Sequence, residues 1–137
     1  MPKIIGSRVE VALARETTRG VGLKTNMYWL PWTSNSFEDK VEKYVSREAL
    51  GVIDDSADMY VTEKWGEGAI EGEVRDKSFG LLLYAALGTW TPAANGAAFD
   101  HVFTVAQTNQ HQSVSLWFSA PNGDHIFELA MLENLED

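Results

Sequence analysis

MYVTEKWGEGAIEGEVRDKSFGLLLYAALG, residues 59–88, decides the fold. Its first part reads as a strand, with Met59, Val61 and Trp65 on one face at period two. Past Gly66-Glu67-Gly68 the phase flips, and Ile70, Gly72 and Val74 take the alternate positions. A strand whose inward face changes side needs a bulge or a bend, which Gly66 and Gly68 accommodate at little steric cost. The second part reads as a helix, Lys77 to Leu87. It carries Phe79, Leu82, Leu83, Ala86 and Leu87 at i, i+3, i+4, i+7 and i+8, an apolar stripe expected to pack on the sheet. Asp76 or Ser78 is placed to cap its start, and Gly88 stands where a left-handed stop residue belongs. Gly80 inside the helix costs about 1 kcal/mol relative to alanine. Close approach to a strand, rather than simple tolerance, is the preferred reading. The expectation is a bent sheet with one helix laid on it.

Working outward, 137 residues make one domain, and 45% hydrophobic residues are ordinary for a globular chain. There is no cysteine, which excludes disulfides and thiolate metal sites and leaves the compartment open. No apolar run reaches membrane-spanning length, and MPKIIGSRVEVALARE lacks a signal peptide's apolar core, so an unprocessed cytosolic product is expected. The net charge of −9 is uneven. Residues 1–24 carry five basic and two acidic residues, a balance of +3. Residues 25–77 carry six basic and twelve acidic, a balance of −6. Residues 78–137 carry six acidic residues and no Lys or Arg, again −6. Such a surface argues against tight nucleic-acid binding, which works by neutralising phosphates.

In chain order, Val9, Val11 and Leu13 alternate with Glu10, Ala12 and Ala14, a strand pattern, and TTRGVG (17–22) reads as a loop. NMYWLPW (26–32) reads as a short strand with Pro31 at an edge or bulge, TSNS (33–36) as a turn, and Phe37 to Leu50 as a strand with a bulge in preference to an amphipathic helix. GVIDDSAD (51–58) is a polar loop, and TWTPAANGAA (89–98) a flexible one with an Asn-Gly turn. Phe99 to Ala106 is a strand with Phe99, His101, Phe103 and Val105 on one face. Ser113 to Ser119 is another, with Val114, Leu116 and Phe118 on one face and Trp117 on the other. APNGD (120–124) is a turn signal. His125 to Leu132 is a further strand or short helix, apolar on both faces. It is expected to pair inside the domain on one side and with a further C-terminal portion or a neighbour on the other.

Catalytic signals do not assemble. His101, His111 and His125 are separated by at least ten residues, and no HxH or HExxH spacing occurs. No serine sits in a GxSxG elbow. The carboxylates Asp54 and Asp55 lie in a loop rather than an apolar pocket that would raise a pKa. Asp54, Ser56 and Asp58 have alternating oxygen-ligand spacing but lack the following Gly and distant Glu of a calcium loop. GEGAIEG lacks the Lys-Ser/Thr of a phosphate loop. No catalytic, cofactor-binding or metal residue is assigned, and the chain reads as no enzyme.

The run KWGEGAIEGEVRDKSFGLLLYAALG (64–88), preceded by LGVIDDSADMYV (50–61) and followed by DHVFTVAQTNQHQSVSL (100–116), resembles the major tail tube proteins of long-tailed, siphovirus-type bacteriophages. VALARETTRGVG (11–22) and WLPWTSNSFEDK (29–40) fit the same picture. The resemblance covers nearly the whole chain and rests on spaced glycines, aromatic residues and strand-helix-strand order. It implies a mainly β fold with one α-helix: a β-sandwich or barrel-like sheet with Lys77–Leu87 as the flanking helix. It further implies six copies in a ring, and rings stacked into a hollow tube through which DNA is ejected without specific binding. Gly51 to Asp58 would then be a stacking loop, and the acidic balance would suit a lumen that repels DNA. The partners implied are the chain itself and other phage tail proteins, with no cofactor and no membrane. The place implied is the virion tail, after synthesis in the host bacterial cytoplasm. The abrupt ending AMLENLED leads to the expectation of a single tail-tube-like domain over 1–137, truncated at its C-terminus and weakly associating as written. Competing readings are a tail adaptor or completion protein, a tube protein of a related contractile secretion system, and, third, a small ligand-binding or enzymatic β-barrel.

Overall fold

The computed structural model describes residues 8–46 and 58–136. The expected stacking loop, with Asp54, Asp55 and Ser56, therefore lies outside the described residues except for the backbone of Asp58. In chain order the elements are β1 (Glu10–Arg15), β2 (Tyr28–Leu30), β3 (Trp32–Asn35), β4 (Glu38–Ser46), β5 (Asp58–Glu67), β6 (Ile70–Gly72), α1 (Asp76–Leu87), β7 (Gly88–Asn95), β8 (Ala98–Val105), β9 (Val114–Ala120) and β10 (Gly123–Ala130). The fold is mainly β with a single helix among the described residues, and its sheets are sandwich-like, not closed into a barrel. The chain divides into two compact units, residues 1–32 with 72–137, and residues 33–71.

The first unit is built on an antiparallel sheet in the order β10-β9-β1-β2. Val11 stands opposite Phe118 and Leu13 opposite Leu116, and all four are buried. Each such side chain contributes about 1.5–3 kcal/mol of burial. The alternation expected for β1 gives one buried face, yet Ala12 and Ala14 are buried as well. β1 is a central strand, paired on both sides and covered on both faces, so small residues fill its second face. Val114, Leu116 and Phe118 form the buried face of β9, as their alternation predicts, with Trp117 half-buried. The turn before β10 uses Pro121-Asn122, since Gly123 already pairs with Ala120.

Helix α1 starts one residue earlier than expected and is not capped by Asp76 or Ser78. Arg75 occupies the N-cap position in an extended conformation and makes no side-chain capping bond. Asp76 falls in the first turn, where a negative charge favours the helix dipole. Ser78 is turned inward and buried. Gly88 ends the helix as expected, with φ 91° and its N–H bonded to the Tyr84 carbonyl. The expected stripe is a correction: Phe79, Leu82, Leu83, Ala86 and Leu87 are all half-buried, while the buried side chains are Ser78, Tyr84 and Ala85. From Phe79 to Leu87 no residue is charged, so the helix is apolar around its whole circumference and periodicity could not single out a face. Tyr84 lies under the Arg15 guanidinium, 4.8 Å from ring centroid to Arg15 Cζ. Burial raises its phenol pKa against the opposing pull of Arg15. Gly80 faces β8, where a Cβ would come within 3.4 Å of Phe103 Cζ. Leu83→Ala is therefore expected to cost about 1 kcal/mol in urea denaturation of the dilute protein, below the 2–5 kcal/mol of a fully buried leucine.

Two stretches read as irregular are strands. TSNS lies largely in β3, and TWTPAAN forms β7, with the two-residue turn Gly96-Ala97 leading into β8. Pro31 separates β2 from β3, which fits its missing N–H. In the second unit β4 and β5 form an antiparallel ribbon from Glu38↔Glu67 to Ser46↔Asp58. The expected single face of Met59, Val61 and Trp65 is corrected by this register. Glu42 pairs with Glu63 and Lys43 with Val61, so Thr62 is a bulge residue, and its hydroxyl donates to the Glu42 carbonyl at 3.2 Å. The extra residue puts Trp65 on the side of Tyr60. A second break follows at Gly68, with φ 156°, in agreement with the bend expected there.

Candidate functional site

Two-stranded ribbons are marginal on their own in water. Among the described residues three sheets have only two strands, β3–β6, β4–β5 and β7–β8, and the two longer ones, β4–β5 and β7–β8, expose apolar side chains. In the β7–β8 ribbon the pairs Trp90↔Phe103, Pro92↔His101 and Ala94↔Phe99 lie on one face, with Thr89↔Thr104, Thr91↔Val102 and Ala93↔Asp100 on the other. The expected grouping of Phe99, His101, Phe103 and Val105 on one face matches this register. The aromatic face is braced by Trp90 Nε1, which donates to His101 Nδ1 at 3.0 Å. The polar face is braced by a bond between the Thr89 and Thr104 hydroxyls, and by Asn95 Nδ2 donating to Asp100 Oδ2 at 2.9 Å. Phe99, near the tip, is 66% exposed.

In the β4–β5 ribbon the half near β3 and β6 is charged. Lys40 bridges Glu38 at 2.5 Å and Glu67 at 3.8 Å, and Glu38 holds the Lys40 ammonium above its ordinary pKa. The distal half carries apolar side chains on both faces, with Lys43 opposite Val61 and Ser46 opposite Asp58. Tyr44 and Tyr60 lie on one, Val45, Met59 and Val61 on the other, and all are exposed. Contiguous exposed apolar surface of this kind marks a site of protein association.

The histidines take no part in a common site. His101 is on β8, His125 on β10 opposite Phe118, and the His111 carbonyl accepts a bond from Arg19 at 2.9 Å. Among the described residues no group of three His, Cys, Asp or Glu side chains is placed to hold a metal. A hollow of about 150 Å³ lined by Val9, Val11, Trp29 and Trp32 is smaller than the roughly 300–1,000 Å³ of small-molecule sites. A wider depression of about 440 Å³ beside Arg8 and Pro121 has no aromatic wall. No helix among the described residues is long and apolar enough to cross a membrane.

One polar centre escaped the sequence reading. Glu16, just after β1, is 2% exposed, and its carboxylate is surrounded by donors. Burial pushes its pKa up, but bonds from the Ser113 hydroxyl, the Leu129 N–H, the Gly20 N–H and the Ser115 hydroxyl together outweigh burial and hold it below the ordinary value. The available signal was the pair Ser113 and Ser115 at either side of the core residue Val114: hydroxyls buried in a strand call for an acceptor.

A family model described as phage tail tube protein matches residues 6–128. No curated protein and no solved structure gives a significant match.

Proposed function

The chain belongs to the phage tail tube protein family, a structural and not an enzymatic one, and from that premise we propose that six copies close into a ring and that rings stack into a hollow conduit for DNA ejection. Its role is that of a tail tube structural protein, and its place is the virion tail. The observation that supports assembly most directly is the distal β4–β5 ribbon. Tyr44, Tyr60, Val45, Met59 and Val61 are exposed on a two-stranded element that needs more strands or a packed face to be stable. Neighbouring copies supply that cover, through ring and stacking contacts with the chain itself and contacts with other tail proteins. The acidic surplus of residues 25–137 faces a lumen that repels DNA and so lets it pass without specific binding.

Negative-stain microscopy of the purified protein tests the proposal. Rings or tubes are expected from the wild type at high concentration, where weak association is driven to completion, and their loss from Val61→Glu, with far-UV circular dichroism unchanged. Tubes that persist in Val61→Glu remove the ribbon from the interface. A wild type that stays monomeric at high concentration overturns ring formation by this chain, as does tight binding of double-stranded DNA at physiological salt for the repelling lumen.

A further inference from the structure

Glu16 does more than fill a polar hole. Its carboxylate accepts the Gly20 N–H at 2.8 Å, the Leu129 N–H at 2.8 Å, the Ser115 hydroxyl at 3.1 Å and the Ser113 hydroxyl. The Leu129 bond falls where β10 loses register. Phe127 pairs with Leu116, but the next pair is Ala130 with Val114, so β10 carries one extra residue. Leu129 has φ 56°, a left-handed conformation that a leucine adopts only under constraint. Among the described residues β10 is also an end strand of its sheet, β2 being the other. An end strand is a template for another chain, and a bulge is one of the devices that blunts it.

We propose that Glu16 is a latch: by fixing the Leu129 bulge it keeps a second copy of this chain from extending the sheet in regular register along the whole of β10. The carboxylate reaches across from the end of β1 and holds Leu129 in a backbone state that a straight ladder cannot contain. Without it the strand relaxes to extended geometry, and its outer edge becomes continuous. The latch stands apart from the tube reading, because it governs unwanted pairing whatever the wild-type assembly is. Around the carboxylate, Arg19 on the 17–22 loop is engaged with the His111 carbonyl, His111 lies on the segment before β9, and Glu128 on β10 lies against Gly22. The groups bonded to the carboxylate are all neutral. Protonation of Glu16 places a donor among four donors and opens the latch, and the below-ordinary pKa of this buried acid agrees with that coupling.

Amide exchange and sedimentation of Glu16→Gln decide the matter. Exchange at Leu129 is expected to rise about tenfold while Val11 and Leu13 stay protected, since local opening and global unfolding are separate processes. The variant is also expected to form species larger than the wild type that bind thioflavin T. The double variant Glu16→Gln with Leu129→Gly, whose glycine accepts the left-handed conformation, is expected to return to wild-type size. Wild-type exchange at Leu129 in the single variant, or uniform exchange across β1 and β10, or no growth in size, overturns the latch. If Glu16→Gln does not fold, the wild-type protein titrated to acid through the lowered pKa of Glu16 supplies the same two readouts after correction for intrinsic exchange chemistry. An unchanged Leu129 there overturns it equally.

Discussion

Glu16→Ala is expected to destabilise the protein by about 3–5 kcal/mol in urea denaturation at neutral pH, a large part of the 5–15 kcal/mol typical of a domain. The side chain is only 2% exposed, and truncation leaves the Gly20 and Leu129 N–H groups without their acceptor. Each buried orphan donor costs about 1–3 kcal/mol. The Ser113 and Ser115 hydroxyls rotate and lose less. The same geometry fixes the sign of the pH dependence. The folded-state pKa of Glu16 lies below the ordinary 4.5, so its contribution is fully present above 4.5 and is lost as pH falls through the folded value. Wild-type stability is therefore expected to fall on the acid side, and Glu16→Ala to show a flatter acid limb. A difference under about 1 kcal/mol at neutral pH, or parallel acid limbs, contradicts the assignment.

Much of the secondary structure was legible because local chemistry dictates it. Gly88 stops the helix because the chain needs a left-handed residue there. Val114, Leu116 and Phe118 show their face because β9 packs on one core. What was hidden depends on partners far away in sequence. The donors Ser113 and Leu129 stand 97 and 113 residues from Glu16, and nothing in ARET announces them. The Thr62 bulge follows from the pairing of β4 with β5, and period two alone groups Trp65 with the wrong residues. The helix stripe failed for the opposite reason. An element apolar on every side carries no record of which side this chain covers, and the half-buried Phe79, Leu82 and Leu83 leave surface for contacts beyond the single copy. The ribbons mislead in the same way: Met59 and Val61 alternate as a buried face does, yet in this chain they are exposed.

Gly68→Ala is expected to be as damaging as the loss of Glu16, at about 3–5 kcal/mol. Gly68 lies in the short link from β5 to β6, with φ 156°. A Cβ there would stand 2.3 Å from Phe37 Cα, 2.6 Å from Phe37 N and 2.7 Å from the Ser36 carbonyl oxygen. All three are backbone atoms, so no side chain can swing aside. The segment opposite is itself held: Ser36 N–H bonds the Ala69 carbonyl at 2.9 Å, the Ala69 N–H bonds Ser36 Oγ at 3.1 Å, and Phe37 N–H bonds Asn35 Oδ1 at 2.8 Å. Relief of the overlap must break this lattice where the ribbon joins β3 and β6. Gly96→Ala is a reference for backbone strain without overlap. Gly96 has φ 63°, with nothing within 4 Å of a Cβ, so its substitution carries backbone strain alone, about 1–2 kcal/mol. In urea denaturation of the two variants side by side, the larger loss expected at Gly68 reflects the overlap together with its less favourable φ of 156°. Equal losses would mean that the chain absorbs a methyl group at Gly68 by a small shift, and that the bend there is not set by contact with Phe37.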